Sequence, residues 1–225
     1  MKRTVLISGA SGNLGKALVK KFLQEGYRVA ALVSPRSKPG KESSDNLLTY
    51  PVDLLDEDLL LKVVSEIQST FERIGTAVFT AGGYAGGRFE ETGMAELERM
   101  FRLNFLTAYN LVRLLFDAMI EQEEGHLVFI GARPAVQPGL AGSMIGYSLS
   151  KSLLFRLAEI INRQGSTHGV LASVVVPGTI DTPQNRSAMP EADHTEWVAP
   201  ELIADRIFLL GTEQGRKERG TVLRV

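Results

Sequence analysis

The 225-residue sequence contains no cysteine. That absence excludes a disulfide framework, a thiolate metal site and a cysteine nucleophile. Its three histidines, His126, His168 and His194, are scattered without the spacing of metal ligands, so we expect no metal site and no catalytic histidine. An excess of charge of either sign is also missing, because 25 Lys and Arg stand against 26 Asp and Glu. We therefore expect neither a nucleic-acid partner nor a membrane partner held by bulk electrostatics.

Long apolar runs are missing as well. The most apolar stretches, Leu127–Ala132 and Val170–Ile180, are much shorter than the about 20 residues of a membrane span. The first residues, MKRTVLISGASG, turn polar too early for the about 7–15 apolar residues of a signal peptide. We expect a cytoplasmic protein.

Short β-rich apolar runs alternate with helical patterns along the whole chain. Strands are predicted at Val5–Ser8, Tyr27–Val33, Leu48–Val52, Ala77–Thr80, Leu127–Gly131, Val170–Val176 and Thr221–Val225. Helices are predicted at Leu14–Gln24, Asp56–Phe71, Met94–Gln122, Tyr147–Gln164 and Pro200–Leu210. This alternation predicts a parallel sheet covered on both faces. We expect residues 1–225 to form a single α/β domain, a doubly wound three-layer αβα fold of the Rossmann type.

A glycine-rich loop, SGASGNLG at 8–15, joins the first predicted strand to the first predicted helix. Glycines at this turn leave room for a pyrophosphate near the backbone, and the helix start offers unpaired N–H groups. The loop therefore predicts dinucleotide binding by Gly9, Ser11, Gly12, Asn13, Leu14 and Gly15.

The end of the second strand bears on which dinucleotide binds. NAD-binding folds usually place a carboxylate there, on the ribose 2′-hydroxyl. This chain has Val33 followed by Ser34 and Arg36, and a guanidinium suits a 2′-phosphate. NADP(H) is therefore favoured over NAD(H), which stays an option. The alternative interpretation of these residues is a solvated basic loop.

Tyr147 and Lys151 lie four residues apart near the start of a predicted helix and so share one face. A phenol has a pKa near 10, and an adjacent ammonium favours the phenolate and lowers that pKa. We expect Tyr147 to donate a proton, and Lys151 to lower its pKa and to bind the cofactor ribose. The alternative is an ordinary surface Tyr–Lys pair.

With these motifs the chain resembles the short-chain dehydrogenase/reductase family over its whole length. The matching positions are SGASGNLG, Val52-Asp53, Ala81-Gly82, Asn104, Tyr147-Ser148-Leu149-Ser150-Lys151 and Pro177-Gly178 with Thr182. The resemblance implies that Asp53 contacts adenine and that Asn104 organises a water relay as a third catalytic residue. The resemblance further implies that Ala81 and Gly82 lie in the cofactor site. It also implies that Pro177, Ile180 and Thr182 pack against nicotinamide. It also implies a homodimer or homotetramer formed through the helices at 94–122 and 147–164.

The chain departs from that family at its catalytic serine, which is replaced by Ala132. Ser143 lies in the wrong part of the following loop to replace it. Two further departures are Asn13 in place of glycine and Thr80 in place of asparagine. Without the serine hydroxyl, a substrate carbonyl loses one polarising donor.

Three longer segments resemble a subgroup, the dihydropteridine reductases, which also lacks the serine. They are AGGYAGG (81–87), GARPA…GSMIGYSLSK (131–151) and DTPQNRSAMPEAD..W (181–197). The implied reaction is hydride transfer from a reduced nicotinamide to a small ring substrate, a quinonoid dihydropteridine. The alternatives are a generic carbonyl or alcohol reductase of unknown substrate and a non-catalytic NADP-binding sensor.

Two irregular segments are candidate walls of the substrate site. The loop at 81–87 places Tyr84 where it could stack on a flat ring, although a plain loop explains it equally well. Residues 178–199 are long enough for a substrate lid. In this lid we expect Arg186 and Met189 to contact substrate and Trp197 to anchor the lid to the core.

Overall fold

Seven parallel strands form one sheet in the computed structural model, which describes residues 3–37, 44–212, 215, 220 and 222–225. The strands are β1 (Thr4–Ser8), β2 (Arg28–Val33), β3 (Leu47–Pro51), β4 (Thr76–Phe79), β5 (Gly125–Ile130), β6 (Val170–Val176) and β7 (Val222–Arg224). Their order across the sheet is β3-β2-β1-β4-β5-β6-β7, so the direction of winding reverses between β1 and β4. The predicted doubly wound α/β fold is confirmed.

Helices cover both faces of the sheet. The helices are α1 (Asn13–Gln24), α2 (Glu57–Phe71), α3 (Met94–Phe101), α4 (Thr107–Glu121), α5 (Arg133–Val136), α6 (Ile145–Gly165), α7 (Pro183–Ala188) and α8 (Pro200–Leu210). The apolar faces of α2, α4 and α6 pack in one core, and those of α1 and α8 pack in a second core on the opposite face. The fold is therefore the predicted three-layer sandwich.

The strands read as unbroken apolar runs because both of their faces are buried. Leu6 points into the core under α2, α4 and α6, whereas its neighbours Val5 and Ile7 point into the core under α1 and α8. All three side chains are fully buried. A strand covered on both sides needs apolar residues at every position, which explains the sequence pattern.

The long predicted helix at 94–122 is interrupted. A π-helical turn, Arg102–Leu106, separates α3 from α4. Apolar spacing along the chain does not reveal such a turn, because it alters the hydrogen-bond register and keeps the helix continuous. Within the stretch Met94–Glu121, an 18-residue window reaches a mean hydropathy of 1.2, so by length and composition alone the stretch is a candidate membrane span. Met100, Leu111 and Leu115 of this stretch are fully buried, as in the core helix of a soluble fold.

Other boundaries differ by one or two residues, and two predicted loops contain short helices. Helix α6 begins two residues before Tyr147, and β5 begins two residues before Leu127. The segment between β5 and α6 contains α5, and the irregular segment predicted at 178–199 contains α7. Thr221, the first residue of the last predicted strand, lies outside the described residues.

Candidate active site

A cavity of about 650 Å³ opens at the carboxyl ends of the central strands. Its wall includes Gly9, Ser11, Gly12, Ser34, Arg36, Asp53, Ala81 and Gly82, all of them predicted cofactor residues. The strand order reverses at this edge, where open parallel sheets bind their ligands. The structure thus brings predicted residues from the glycine loop and from the segments after β2, β3 and β4 to one cleft.

The glycines let the first strand turn directly into α1. Gly9 adopts a left-handed φ of 68°. A Cβ on Gly15 would lie 2.3 Å from the carbonyl oxygen of Gly9, so only glycine fits at position 15. Gly12, which precedes α1, gives it no side-chain cap, and the first turn of α1 contains no acidic residue. Its N–H groups and the positive end of its dipole are therefore left for an anionic ligand.

Two of the predicted loop residues lie behind this turn instead of along the cavity. The side chain of Leu14 is buried in the core under α1, and Gly15 packs against the backbone of Gly9 and Ala10. Asn13 has a different contact, because its Nδ2 donates to Oε1 of Gln184 on α7 at 2.7 Å. The glycine loop is thus tied to the segment predicted to be a lid, a contact that the sequence analysis missed.

The end of β2 carries no carboxylate. Val33 is followed by Ser34, whose hydroxyl accepts the backbone N–H of Arg36 at 3.3 Å. The Arg36 side chain is exposed at the cavity. Asp53 also lines the cavity, and one of its carboxylate oxygens accepts the Leu55 N–H at 3.0 Å. The wall just after β2 therefore carries a hydroxyl and a guanidinium, and the carboxylate of the cavity follows β3.

Lys151 and Asn104 meet beside the loop that follows β4. A Cβ placed on Gly82 would lie 2.7 Å from Oδ1 of Asn104 and 3.4 Å from Nζ of Lys151. Lys151 is buried and donates to the carbonyl of Ile130 at 2.9 Å, and burial lowers its pKa to about 8. Two predicted catalytic residues, which are far apart in sequence, therefore share one small site.

Asn104 is held on both sides of its amide. It lies in the π-helical turn, where its Oδ1 accepts the N–H of Gly83 at 2.9 Å. Its Nδ2 donates to the hydroxyl of Ser150 at 3.0 Å, and that hydroxyl donates in turn to the carbonyl of Tyr147. The hydroxyl of Ser150 therefore helps to hold the Asn104 amide in place. From the sequence, Ser150 was known only as part of the motif at 147–151.

Tyr147 lies on α6, one helical turn before Lys151, and contacts the loop at 81–87. Its ring meets that of Tyr84 edge-on, with centroids 5.2 Å apart. Burial, together with the neighbouring Tyr84 phenol, raises the pKa of Tyr147 to about 12. The expected lowering by Lys151 is therefore wrong for this structure, because Lys151 points to Ile130 and burial disfavours the phenolate. At neutral pH Tyr147 is a protonated phenol, the form that a proton donor requires.

No hydroxyl stands at the end of β5. Ala132 is buried there and precedes α5. Ser143 is exposed, and its carbonyl accepts the N–H of Gly87, which fastens the loop at 81–87 to the start of α6. Ser143 therefore contributes its backbone to the shape of the site.

The lid predicted at 178–199 has its own internal contacts. Arg186 binds both carboxylate oxygens of Asp181, at 2.6 and 2.8 Å, and so holds the pKa of that carboxyl low. Its guanidinium is thus paired inside the segment, and a substrate contact of Arg186 stays a prediction. Thr182 caps α7, since its hydroxyl accepts the N–H of Asn185.

The remaining lid residues divide between buried and exposed positions. Pro177 is buried at the end of β6, and Ile180 pairs with Val198. Met189 is 41% exposed. Trp197 packs on the His194 ring at 4.3 Å, within the lid. Among the residues that the structure describes, no group of three or more acidic or histidine side chains is placed to hold a metal ion.

This site combines a glycine-lined cleft with three adjacent polar side chains, those of Tyr147, Lys151 and Asn104. The combination defines an oxidoreductase of the dinucleotide-binding α/β class. The sequence profile described as short chain dehydrogenase matches residues 3–193, and the chain belongs to that family.

Individual relatives differ in what they act on. The dihydropteridine reductase of Dictyostelium discoideum is 24% identical and aligns over 100% of this chain and 94% of its own length. The ketoacyl reductase HetN of Nostoc sp. is 30% identical over 79% of this chain and 63% of its own length. The solved structure of ElxO with NADP bound has the same fold, with a TM-score of 0.91 at 22% identity, over 100% of this chain and 97% of that one.

Proposed function

We propose that this protein is an NADPH-dependent reductase that acts on a quinonoid dihydropteridine. The observation that carries the proposal is the juxtaposition of Lys151 and Asn104 beside Gly82, near Tyr147, at an edge where Ala132 replaces the serine hydroxyl. The dihydropteridine reductase that aligns over this whole chain supports the same substrate class.

The residues of the cleft fit a dinucleotide that carries a 2′-phosphate. The uncapped start of α1 and the close approach of Gly9 and Gly15 fit a pyrophosphate. The lack of a carboxylate after Val33 and the exposed guanidinium of Arg36 fit a 2′-phosphate, and ElxO with NADP bound supports this choice. When bound, NADPH supplies the hydride from C4 of its nicotinamide.

Tyr147 supplies the proton in this proposal. The substrate gains one hydride and one proton, so that dihydropterin, NADPH and H⁺ give tetrahydropterin and NADP⁺. Tyr147 donates its phenolic proton to a ring nitrogen. Lys151, whose ammonium donates to the Ile130 carbonyl, is proposed to bind the cofactor ribose. Asn104, fixed by Gly83 and Ser150, positions the water through which the phenol regains its proton from solvent.

The proposed substrate contains a conjugated imine, which explains why the site can work without a serine hydroxyl. In a ketone, negative charge develops on the carbonyl oxygen and calls for donors beside Tyr147. In a quinonoid dihydropterin, the ring spreads the incoming charge, and the proton goes to the same ring system. Ala132 is therefore compatible with this reaction, although it would weaken ketone reduction.

A second candidate is a carbonyl or alcohol reductase with another small substrate. The ketoacyl reductase of Nostoc sp., 30% identical, favours it. The lack of a hydroxyl at position 132 counts against it.

The experiment is NADPH oxidation with quinonoid 6-methyldihydropterin as substrate, in wild type and Tyr147→Phe. We expect kcat to fall at least about 100-fold in Tyr147→Phe, the contribution typical of a general acid. The control is Tyr109→Phe, an exposed tyrosine of α4, with wild-type turnover expected. Wild-type turnover by Tyr147→Phe would contradict the proposal, and reduction of ketones without reduction of the pterin would favour the second candidate.

The cofactor proposal is tested by titrating the same proteins with NADPH and NADH. We expect tighter binding of NADPH, and unchanged NADPH affinity in Tyr147→Phe. Equal affinities, or tighter binding of NADH, would contradict the role given to Arg36.

The single domain is proposed to use residues 178–199 as its substrate lid. The pairing of Ile180 with Val198 brings the two ends of the segment together, and Gln184 ties its middle to the glycine loop. We propose a cytoplasmic protein that assembles as a homodimer or homotetramer.

A further inference from the structure

Arg133 lies at the root of the lid. It directly follows Ala132 at the end of β5, and its side chain reaches the carboxyl end of the adjacent strand β6. A Cβ on Gly178 would lie 2.9 Å from Nη2 of Arg133 and 3.3 Å from Cγ2 of Val198. The guanidinium is thus placed where the lid leaves the sheet.

The guanidinium of Arg133 makes no ion pair and no side-chain hydrogen bond with any residue that the structure describes. Its backbone carbonyl accepts the N–H of Gln137 within α5. The acid at the same end of the lid is Asp181, and both of its carboxylate oxygens are bound by Arg186. Asp181 therefore neutralises Arg186 within the lid, and the guanidinium of Arg133 is left to bind solvent or a ligand.

Arg133 lies at the same strand end as the backbone carbonyl that binds Lys151. Lys151 donates to the carbonyl of Ile130, three residues before Arg133 on the same strand end. Between them stands Ala132, whose methyl group offers a substrate no hydrogen bond. The next residue, Arg133, places a charged hydrogen-bond donor at this strand end.

We propose that Arg133 binds an anionic group of the substrate, so that the preferred substrate is a pteridine bearing a carboxylate or phosphate. A guanidinium recognises both groups with two parallel hydrogen bonds and keeps its charge at any working pH. This inference rests on the proposed function, since it identifies the substrate class of the same site.

The test compares two ligands with one ring system and different charge. Pterin-6-carboxylate and the neutral 6-hydroxymethylpterin are titrated into the protein with NADP⁺ present, for wild type, Arg133→Met and Arg133→Lys. We expect wild type to bind the acid at least about tenfold more tightly than the neutral ligand. Arg133→Met should lose that preference while binding the neutral ligand as wild type does, and Arg133→Lys should keep part of it. Lys62→Ala on α2, which removes the same charge from an exposed site, should keep the full preference.

A second measurement separates substrate from cofactor, because NADPH also carries phosphates. We expect Arg133→Met to bind NADPH as tightly as wild type. Loss of NADPH affinity with an unchanged preference for the acid would assign Arg133 to the cofactor and overturn the inference. Equal binding of the two pterins by wild type would overturn it and leave the proposed function intact.

Failure of both pterins to bind would instead contradict the proposed function. In that case the reduction of acetoacetate and of ethyl acetoacetate measures the same charge preference on a ketone. A higher kcat/KM for the acid that disappears in Arg133→Met would support the anion site, and any other result would overturn it.

Discussion

At the scale of single residues, burial shifts the pKa values of Lys151 and Tyr147 in opposite directions. The pKa of Lys151 falls to about 8 and that of Tyr147 rises to about 12, so both shifts favour the neutral form. At pH 7 the tyrosine therefore holds its proton and the lysine is still charged, although it titrates much closer to neutrality than an exposed lysine. This arrangement suits a phenol that gives up its proton only when substrate is present.

The shift of Lys151 makes stability depend on pH. Its pKa is about 8 in the folded protein and 10.5 in the unfolded chain, so between these values only the unfolded state keeps the proton. The contribution of Lys151 to the free energy of unfolding therefore rises from pH 8 to 10.5, and the gain is lost as the pH falls through 8. We expect the difference in unfolding free energy between wild type and Lys151→Met to grow by about 3 kcal/mol across this range. Urea unfolding at several pH values measures it, and a difference that stays constant would show that Lys151 is not buried as described.

The sequence located several of these residues but not their partners. The Tyr–Lys spacing could be predicted because it follows from positions along one helix. The missing serine could be predicted because the family resemblance implies a serine where this chain has Ala132. The contact of Lys151 with Ile130, the contact of Asn13 with Gln184 and the pairing of Arg186 with Asp181 could not be predicted. They depend on how irregular segments lie over the sheet, for which apolar periodicity carries no signal.

At the scale of elements, two local distortions place the site. The π-helical turn at Arg102–Leu106 presents Asn104 to the cleft from the middle of a long helical stretch. The sharp turn from β1 into α1 is closed by glycines that no other residue could replace. The sequence predicted the second feature from its glycine spacing and missed the first, because a π-turn keeps the apolar face continuous.

Gly15→Ala tests the turn. Its Cβ would collide with the backbone of Gly9 and Ala10, which cannot move aside as a flexible side chain would. We expect a loss of about 1–3 kcal/mol in the free energy of unfolding, the range typical of overpacking, together with weaker NADPH binding. Gly139→Ala is the matched control, because its Cβ would meet no atom within 4 Å. If the two variants were equally stable, the close approach of Gly15 to Gly9 would be contradicted.

At the scale of the whole molecule, the fold was predictable because strands buried on both faces leave a distinctive apolar pattern. The parallel sheet covered on both faces follows from the alternation of strands and helices, whereas the strand order became known only from the structure. Residues 178–199 were predictable only as a long irregular segment, and their role as a lid stays a prediction. Their helix α7 and their tie to the glycine loop lie outside what periodicity shows.

Substitutions on the exposed faces of the long helices test the proposed homodimer or homotetramer. Tyr109 on α4 and Leu149 and Ile160 on α6 are large apolar side chains that are more than 40% exposed. We expect Ile160→Asp to lower the molecular mass in sedimentation velocity, because a charge would be buried between subunits. Leu61→Asp on α2, an equally exposed leucine, should leave the mass unchanged. A monomeric wild type would contradict the assembly.

In the proposed reaction, one cleft supplies a hydride from nicotinamide and a proton from Tyr147 to the same substrate ring. A crystal structure of the protein with NADP⁺ and a pterin tests this arrangement. We expect nicotinamide C4 about 3.5 Å from a ring atom of the pterin, and the Tyr147 hydroxyl within about 3.2 Å of a ring nitrogen. The proposed reaction would be wrong if the nicotinamide lay beyond the reach of the Tyr147 hydroxyl, or if the pterin bound away from it.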